Sequence, residues 1–146
     1  MNTYNCYIIF NDNYSYVGIT NNLNRRIRQH NKLIKGGAKY TSMIKSSINT
    51  YWNYACYVSG FKSKKDALRF EWALKHVKPK NKYGIINRIN KLILLLNKER
   101  WTNNSPISLN YNLTINWCDL FLIPDNIDNN VPNYIDNKFT ETIYYL

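Results

Sequence analysis

The sequence predicts an α/β fold: a small, mainly antiparallel three-stranded sheet flanked by helices, with a helical and extended C-terminal extension. Three observations lead there. Two β-prone stretches, YNCYIIF from Tyr4 and SYVGI from Ser15, flank an Asn11-Asp12-Asn13 turn cluster, which is the pattern of a hairpin. A third short β-prone stretch, YACYVS from Tyr54, ends at Gly60. Between and after these strands, apolar residues recur at helical spacing in three places.

Taken in order, Tyr4 to Phe10 and Ser15 to Ile19 are expected to form the first two strands, and Gly18 lets a backbone or a ligand come close. The first helix is expected from an N-cap at Asn21 or Asn22 to a glycine stop at Gly36-Gly37. Its apolar stripe is Leu23, Ile27 and Ile34, with Leu33 at the margin. Tyr40 to Asn53 is polar and reads as a loop. Ser63-Lys64-Lys65-Asp66 has the spacing of a capping box ahead of a helix from about Lys64 to Lys75, and Pro79 breaks that helix. Ile85 to Leu96 carries Ile85, Ile89, Leu92, Ile93 and Leu96 on one side of a third helix. Trp101 to Pro106 reads as loop, and Leu109 to Trp117 as strand or extended segment. The expected division is a core over residues 1–80, an extension over 81–124 packed on it, and an acidic, loosely ordered tail over 125–146.

Hydrophobic content of 45% with 15% aromatics suffices for a core and argues against a disordered chain. No apolar run approaches the roughly 18 residues of a membrane span, and the N-terminus lacks a signal-peptide core. A soluble, intracellular protein with no membrane partner is expected. Cys6, Cys56 and Cys118 are odd in number and far apart, so they are read as free thiols and not as a zinc site. The formal charge of +11 is uneven: from residue 119 onward five acids face the single base Lys138, which leaves 19 bases against four acids before it. A body at +15 points to nucleic acid as the partner.

The scarcity of acids in that body is the most discriminating feature. Asp12 belongs to a turn, Asp66 to a helix N-terminus, and Glu99 to the exposed end of the third helix. Glu71 stands between Phe70 and Trp72, where an unpaired carboxylate costs several kcal/mol. Two readings are open for it: an ion pair with an arginine of the first helix, or a ligand for Mg²⁺, which accepts one or two protein carboxylates. A single carboxylate implies a single ion. Arg26 and His30 share a helix face, roughly 5–6 Å apart at Cβ, with Arg25, Arg28 and Lys32 fanning out beside them; a solvated basic helix is the bland alternative. Tyr7 and Tyr16 come from the two arms of the hairpin, as packed sheet aromatics or as catalytic phenols. A phenol near a metal and an arginine can have its pKa drawn down from about 10 and accept a proton from water. Lys39 after the glycine pair is either a phosphate contact or a solvated lysine.

Tyr7-Ile8-Ile9, Tyr16-Val17-Gly18, Arg26 with His30, and Glu71, in that order, resemble the GIY-YIG endonuclease superfamily. More specifically, RRIRQHN, KGGAKYT, GFKSKKDALRFEWALKH and LNYNLTINW resemble the Slx-type catalytic subunit of structure-specific endonucleases, over roughly Tyr4 to Trp117. Asn5-Cys6-Tyr7 stands where Gly-Ile-Tyr would be, and the tyrosine is kept. The resemblance implies a DNA endonuclease using one Mg²⁺ or Mn²⁺. In it Tyr7, assisted by Tyr16 and His30, activates water, Arg26 stabilises phosphate charge, and Glu71 holds the metal. Arg25, Arg28, Lys35, Lys39 and Lys75 are expected to contact phosphates. Branched DNA (flaps, forks or junctions) is the implied substrate. The rival tasks are a homing-type or repair nuclease on the same fold, or a non-catalytic DNA-binding module. The expected compartment is the nucleus or, for a viral protein, the site of viral DNA replication. Slx-type subunits carry a Cys/His-rich zinc module that docks a scaffold; its absence here puts dependence on a scaffold subunit in doubt.

Overall fold

The structure, a computed structural model, describes residues 3–43 and 51–140. Its centre is a five-stranded sheet in the order β2-β1-β3-β4-β5. The strands are β1 (Asn5–Asn11), β2 (Tyr14–Thr20), β3 (Asn53–Ser59), β4 (Thr114–Trp117) and β5 (Asp136–Phe139). All neighbours are antiparallel except β4 and β5, which run parallel. The expected hairpin is β1–β2, closed by a two-residue turn in which Asp12 takes φ +57°, a conformation that Asp tolerates better than most residues.

Two strands join the three that the sequence indicates. β4 falls in the stretch expected as strand or extended segment. β5 and the short helix α5 (Ile127–Asn130) fall where a loosely ordered tail is expected. An Asn- and Asp-rich stretch holds a strand there because β4 supplies a ready ladder. Val131 and Ile135 are buried as well, and the Trp117 indole donates to Asn137.

β1 is buried on both faces, and its alternation sorts two cores. Cys6 and Ile8 join Val17, Val58, Phe70 and Leu74 in the larger one, beneath α3 (Lys64–Lys75) and α4 (Ile85–Leu96). Tyr7 and Ile9 join Ile27, Trp52 and Tyr54 on the opposite face, beneath α1 (Leu23–His30). Cys6, Cys56 and Cys118 form no disulfide.

α1 is shorter than expected. Asn22 is its N-cap, accepting from Arg25 N–H at 2.9 Å. It ends at Asn31, well before Gly36-Gly37. Lys32 turns left-handed at φ +61°, and Leu33 N–H donates to Arg28 C=O at 2.9 Å while Lys32 N–H donates to Gln29 C=O at 3.1 Å. These two bonds form a Schellman stop. Asn31 is held there because its side chain donates to the Trp52 carbonyl at 3.0 Å. The two glycines instead let the chain fold back on α1: a Cβ at Gly37 would overlap the Gln29 carbonyl. The following stretch, expected as loop, opens with a helical turn, α2 (Lys39–Met43); its residues 44–50 lie outside the described residues.

Ser63 caps α3 by accepting from Asp66 N–H at 3.2 Å. Asp66 does not complete a capping box; its carboxylate accepts from the buried Tyr111 hydroxyl and from Arg69. Phe70 is fully buried between Phe61 and Trp101, at ring separations of 5.2 and 5.1 Å. Phe70→Ala should lower stability by about 3–5 kcal/mol, read as a lower urea midpoint at unchanged slope.

Candidate active site

Among the described residues β2 is an edge of the sheet, and there α1 and α3, which lie on opposite faces, come round to a common cavity of about 480 Å³. Tyr7 lines it from β1, Tyr16 and Gly18 from β2, Arg25, Arg26 and Gln29 from α1, and Lys64, Leu68 and Glu71 from α3. Tyr7 reaches the cavity because its cross-strand partner is Gly18. A Cβ at Gly18 would stand 2.6 Å from Tyr7 Cζ, so only a glycine leaves room for the ring.

The Tyr7 hydroxyl is the centre of a hydrogen-bond chain. It lies 2.7 Å from His30 Nε2 and receives Arg26 Nε–H at 3.1 Å. His30 Nδ1 lies 2.9 Å from Thr41 Oγ1, whose own hydroxyl proton goes to the Ala38 carbonyl. That bond assigns the rest. With its proton committed, Thr41 accepts from His30 Nδ1–H, so Nε2 carries the lone pair and Tyr7 donates to it. Arg26 is clamped by Nη1 bonds of 2.9 Å to Gln29 Oε1 and to the Gly36 carbonyl.

Burial pushes His30 down to about 3, with the Arg26 charge adding to the effect, so the ring is neutral at pH 7. Burial likewise pushes the Tyr7 phenol up, and the Arg26 hydrogen bond does not offset it. Loss of solvation outweighs this one charge-assisted bond; the sequence expectation joined a metal to the arginine beside the phenol. Burial works against charge on Arg26, yet the contacts with Tyr7 and Tyr16 win and raise its pKa. The resting state is thus a protonated phenol handing its proton toward a neutral imidazole.

Glu71 is not buried as its neighbours suggested. Successive helical residues point about 100° apart, so Phe70 enters the core and Trp72 lies 57% exposed, while Glu71 faces the cavity. Its partner is Lys75, at 3.4 Å, and not an arginine of α1. An i,i+4 pair of this exposure contributes a few tenths of a kcal/mol. Among the described residues no three His, Cys, Asp or Glu side chains gather. One carboxylate beside an open, polar cavity fits a single ion that keeps most of its water, and does not fit a two-ion centre.

The remaining expected residues are dispersed. The Tyr16 ring is tilted 58° against His30, with ring centres 5.2 Å apart, and Lys75 Nζ lies 5.2 Å over the Tyr16 ring. Lys35 lines a neighbouring concavity with Gln29 and Ser42. Arg28 and Lys39 are exposed on α1 and α2, outside the residues lining the Tyr7 cavity. Thr41, Gln29, Gly36 and Lys64 have roles in the site's geometry that sequence reasoning did not assign. Thr41 and Gly36 lie in KGGAKYT and Lys64 in KSKKD, so proximity to motif residues was the available signal.

The depressed His30 value has a consequence for stability. Between about pH 6.5 and about pH 3 the unfolded imidazole binds a proton that folded His30 refuses, so stability falls as pH drops through that window. A ¹⁵N titration should show the His30 ring in its neutral Nδ1–H form across the window; a ring that charges near its ordinary value would overturn the assigned bond order.

Comparison with known proteins bears on this geometry. Curated relatives include "Structure-specific endonuclease subunit SLX1" of Phaeosphaeria nodorum, 47% identical over 72 residues, covering 48% of this chain and 19% of the relative. The Neurospora crassa protein of that name is 54% identical over 59 residues, 40% of this chain and 14% of the relative. The "Structure-specific endonuclease subunit SLX1 homolog" of Cryptosporidium parvum is 32% identical over 154 aligned residues, 90% of this chain and 35% of the relative. The chain thus spans well under half the length of these relatives. The sequence profile of the GIY-YIG catalytic domain matches residues 3–84. That match runs from ahead of β1 to the threshold of α4, more than half of the chain, and the chain therefore belongs to the GIY-YIG family.

Proposed function

We propose that this chain is a DNA endonuclease that hydrolyses phosphodiester bonds near branch points in flaps, forks or four-way junctions. The observation that carries the reading is the bond chain Arg26–Tyr7–His30–Thr41 ending at a cavity that also holds Glu71. A module that only binds DNA has no use for a buried phenol held against a neutral imidazole. The names of the relatives and the family domain support the same reading.

In this reading a water oxygen attacks phosphorus in line, and the P–O bond to the leaving oxygen breaks. The water's proton passes to the Tyr7 oxygen as Tyr7 gives its own to His30 Nε2. Tyr7 thus ends neutral, and the positive charge that arises on His30 is met by the negative charge that builds on the phosphate beside it. Thr41 holds the imidazole in the accepting tautomer. Arg26, fixed by its bonds to Tyr7, Gln29 and the Gly36 carbonyl, offers a phosphate oxygen a guanidinium already held in position when charge develops. Tyr16 assists by bounding the water's position beside His30. One Mg²⁺ or Mn²⁺ held by Glu71, its shell completed by water and phosphate, would supply Lewis-acid support for the leaving oxygen. Arg25 and Lys75, nearest the cavity, and Arg28, Lys35 and Lys39 farther out, take phosphates without reading sequence. The proposed place of action is the nucleus or a site of viral DNA replication.

Branch preference follows from access. Glu71, Arg26 and Tyr7 approach one phosphodiester from both faces of the sheet, so the strand must leave its stack to enter. Deforming a duplex costs a few kcal/mol, which a branch point has already met.

Glu71→Gln should abolish cleavage while DNA affinity stays level or rises, and Tyr7→Phe should cut turnover by about 10²–10⁴-fold. If Glu71→Gln cuts at the parent rate, the metal assignment fails. Affinity should fall with salt at a log–log slope near −4.5 for about five phosphates. The deciding assay moves one branch through several unrelated sequences, with and without Mg²⁺, on the chain alone. Nicks should follow the branch; nicks that follow a sequence favour the homing-type task, and cutting only with an added subunit restores scaffold dependence.

A further inference from the structure

β2 is the edge strand of the sheet, and a second concavity of about 670 Å³ runs along it, sharing Tyr16 with the Tyr7 cavity. Its lining is unusual in kind. Tyr14 and Tyr16 come from one face of β2, Tyr40 from α2 and Tyr83 from the approach to α4. Tyr14, Tyr40 and Tyr83 are 46%, 44% and 78% exposed, so their rings face solvent rather than the core. Tyr40 lies nearly parallel to Tyr16, at 6.1 Å and 22°, which shows that this surface already holds aromatic planes in stacking order. Lys75, Lys82 and Arg88 lie among the rings, against one acid, Asp12 in the hairpin turn. Arg88 is anchored by its Nη1 bond to the Leu74 carbonyl at 3.0 Å, which fixes its guanidinium at the groove.

We propose that this groove binds single-stranded nucleic acid, taking unpaired bases on the tyrosine rings and the backbone on Lys75, Lys82 and Arg88. Stacking needs a base face, which a duplex hides inside its own stack, whereas an unpaired strand offers one at every nucleotide. Cations interleaved with rings suit a chain that alternates phosphates with flat bases. The ligand class deepens the nuclease reading and rests on it: the groove meets the cavity at Tyr16, so a strand leaving a branch lies along β2 and presents its adjoining phosphodiester to Tyr7. An acidic peptide would answer the cations but leave the rings without a role.

The test measures fluorescence anisotropy of a labelled oligothymidine of about 12 nucleotides and of a blunt duplex of similar length. It compares the parent chain with Tyr14→Ala/Tyr83→Ala and with Tyr14→Phe/Tyr83→Phe, melting curves being taken for all three. Oligothymidine affinity should fall roughly tenfold for each ring removed, duplex affinity should change less than about twofold, and the Phe pair should bind like the parent. Equal loss on duplex and single strand, or a poly-glutamate peptide that competes as well as oligothymidine, overturns the proposal. So does an Ala pair that binds like the parent. If the Ala pair melts early, the single changes Tyr14→Ala and Tyr83→Ala replace it under the same criteria. Branched-DNA cleavage by the same preparations separates the two readings: cutting without ring-dependent binding overturns the groove alone. Ring-dependent binding by a chain that never cuts supports the groove and overturns the nuclease reading.

Discussion

The room above Gly18 is the constraint on which the site depends. Tyr7 and Gly18 face each other across the β1–β2 ladder, and the phenol lies over the glycine with its hydroxyl between Arg26 and His30. Any side chain at Gly18 would occupy the volume of that ring. Register matters as much as size. A slip of one residue would set Tyr7 against Val17 or Ile19 and turn it to the face that packs on α3. The turn at Asp12 and the two cores, each claiming alternate residues of β1, hold that register against slippage.

The electrostatics follow from the same placement. On the α1 face the phenol, the imidazole and the guanidinium share a partly desolvated space, and only the guanidinium carries charge there. Burial makes the neutral forms of Tyr7 and His30 the stable ones, and the Thr41 bond orients the proton between them. Glu71 belongs to the other layer. It meets Arg26 across one cavity only because β2 is an edge, so helices on opposite faces can reach round it. Had another strand paired with β2, the acid and the bases would be separated by the full thickness of the sheet.

That open edge also accounts for the distribution of tyrosines. An unpaired strand edge invites association with other chains. Here it is bounded by α2 on one side and the start of α4 on the other, with cations and half-exposed rings in place of an apolar margin. Tyr16 lines both concavities, so the two meet along β2.

Much of this was legible in the sequence because it is periodic. β-prone stretches either side of Asn11-Asp12-Asn13 marked the hairpin, helical spacing marked α3 and α4, and an i,i+4 step placed Arg26 and His30 on one face of α1. The charge imbalance and the shortage of acids singled out Glu71. What the sequence left open are quantities that depend on residues distant along the chain. The stop of α1 came from Asn31 bonding to Trp52, β5 from a ladder that β4 offered, and the exposure of Glu71 from the rotation of α3 on the sheet. Gly18 was readable as a point of close approach, but that the approaching group is Tyr7 depended on β-strand register. The proton order in Arg26–Tyr7–His30–Thr41 was out of reach altogether. It is decided by where Thr41 sends its single proton and by how much water the fold removes, and tertiary packing alone sets both.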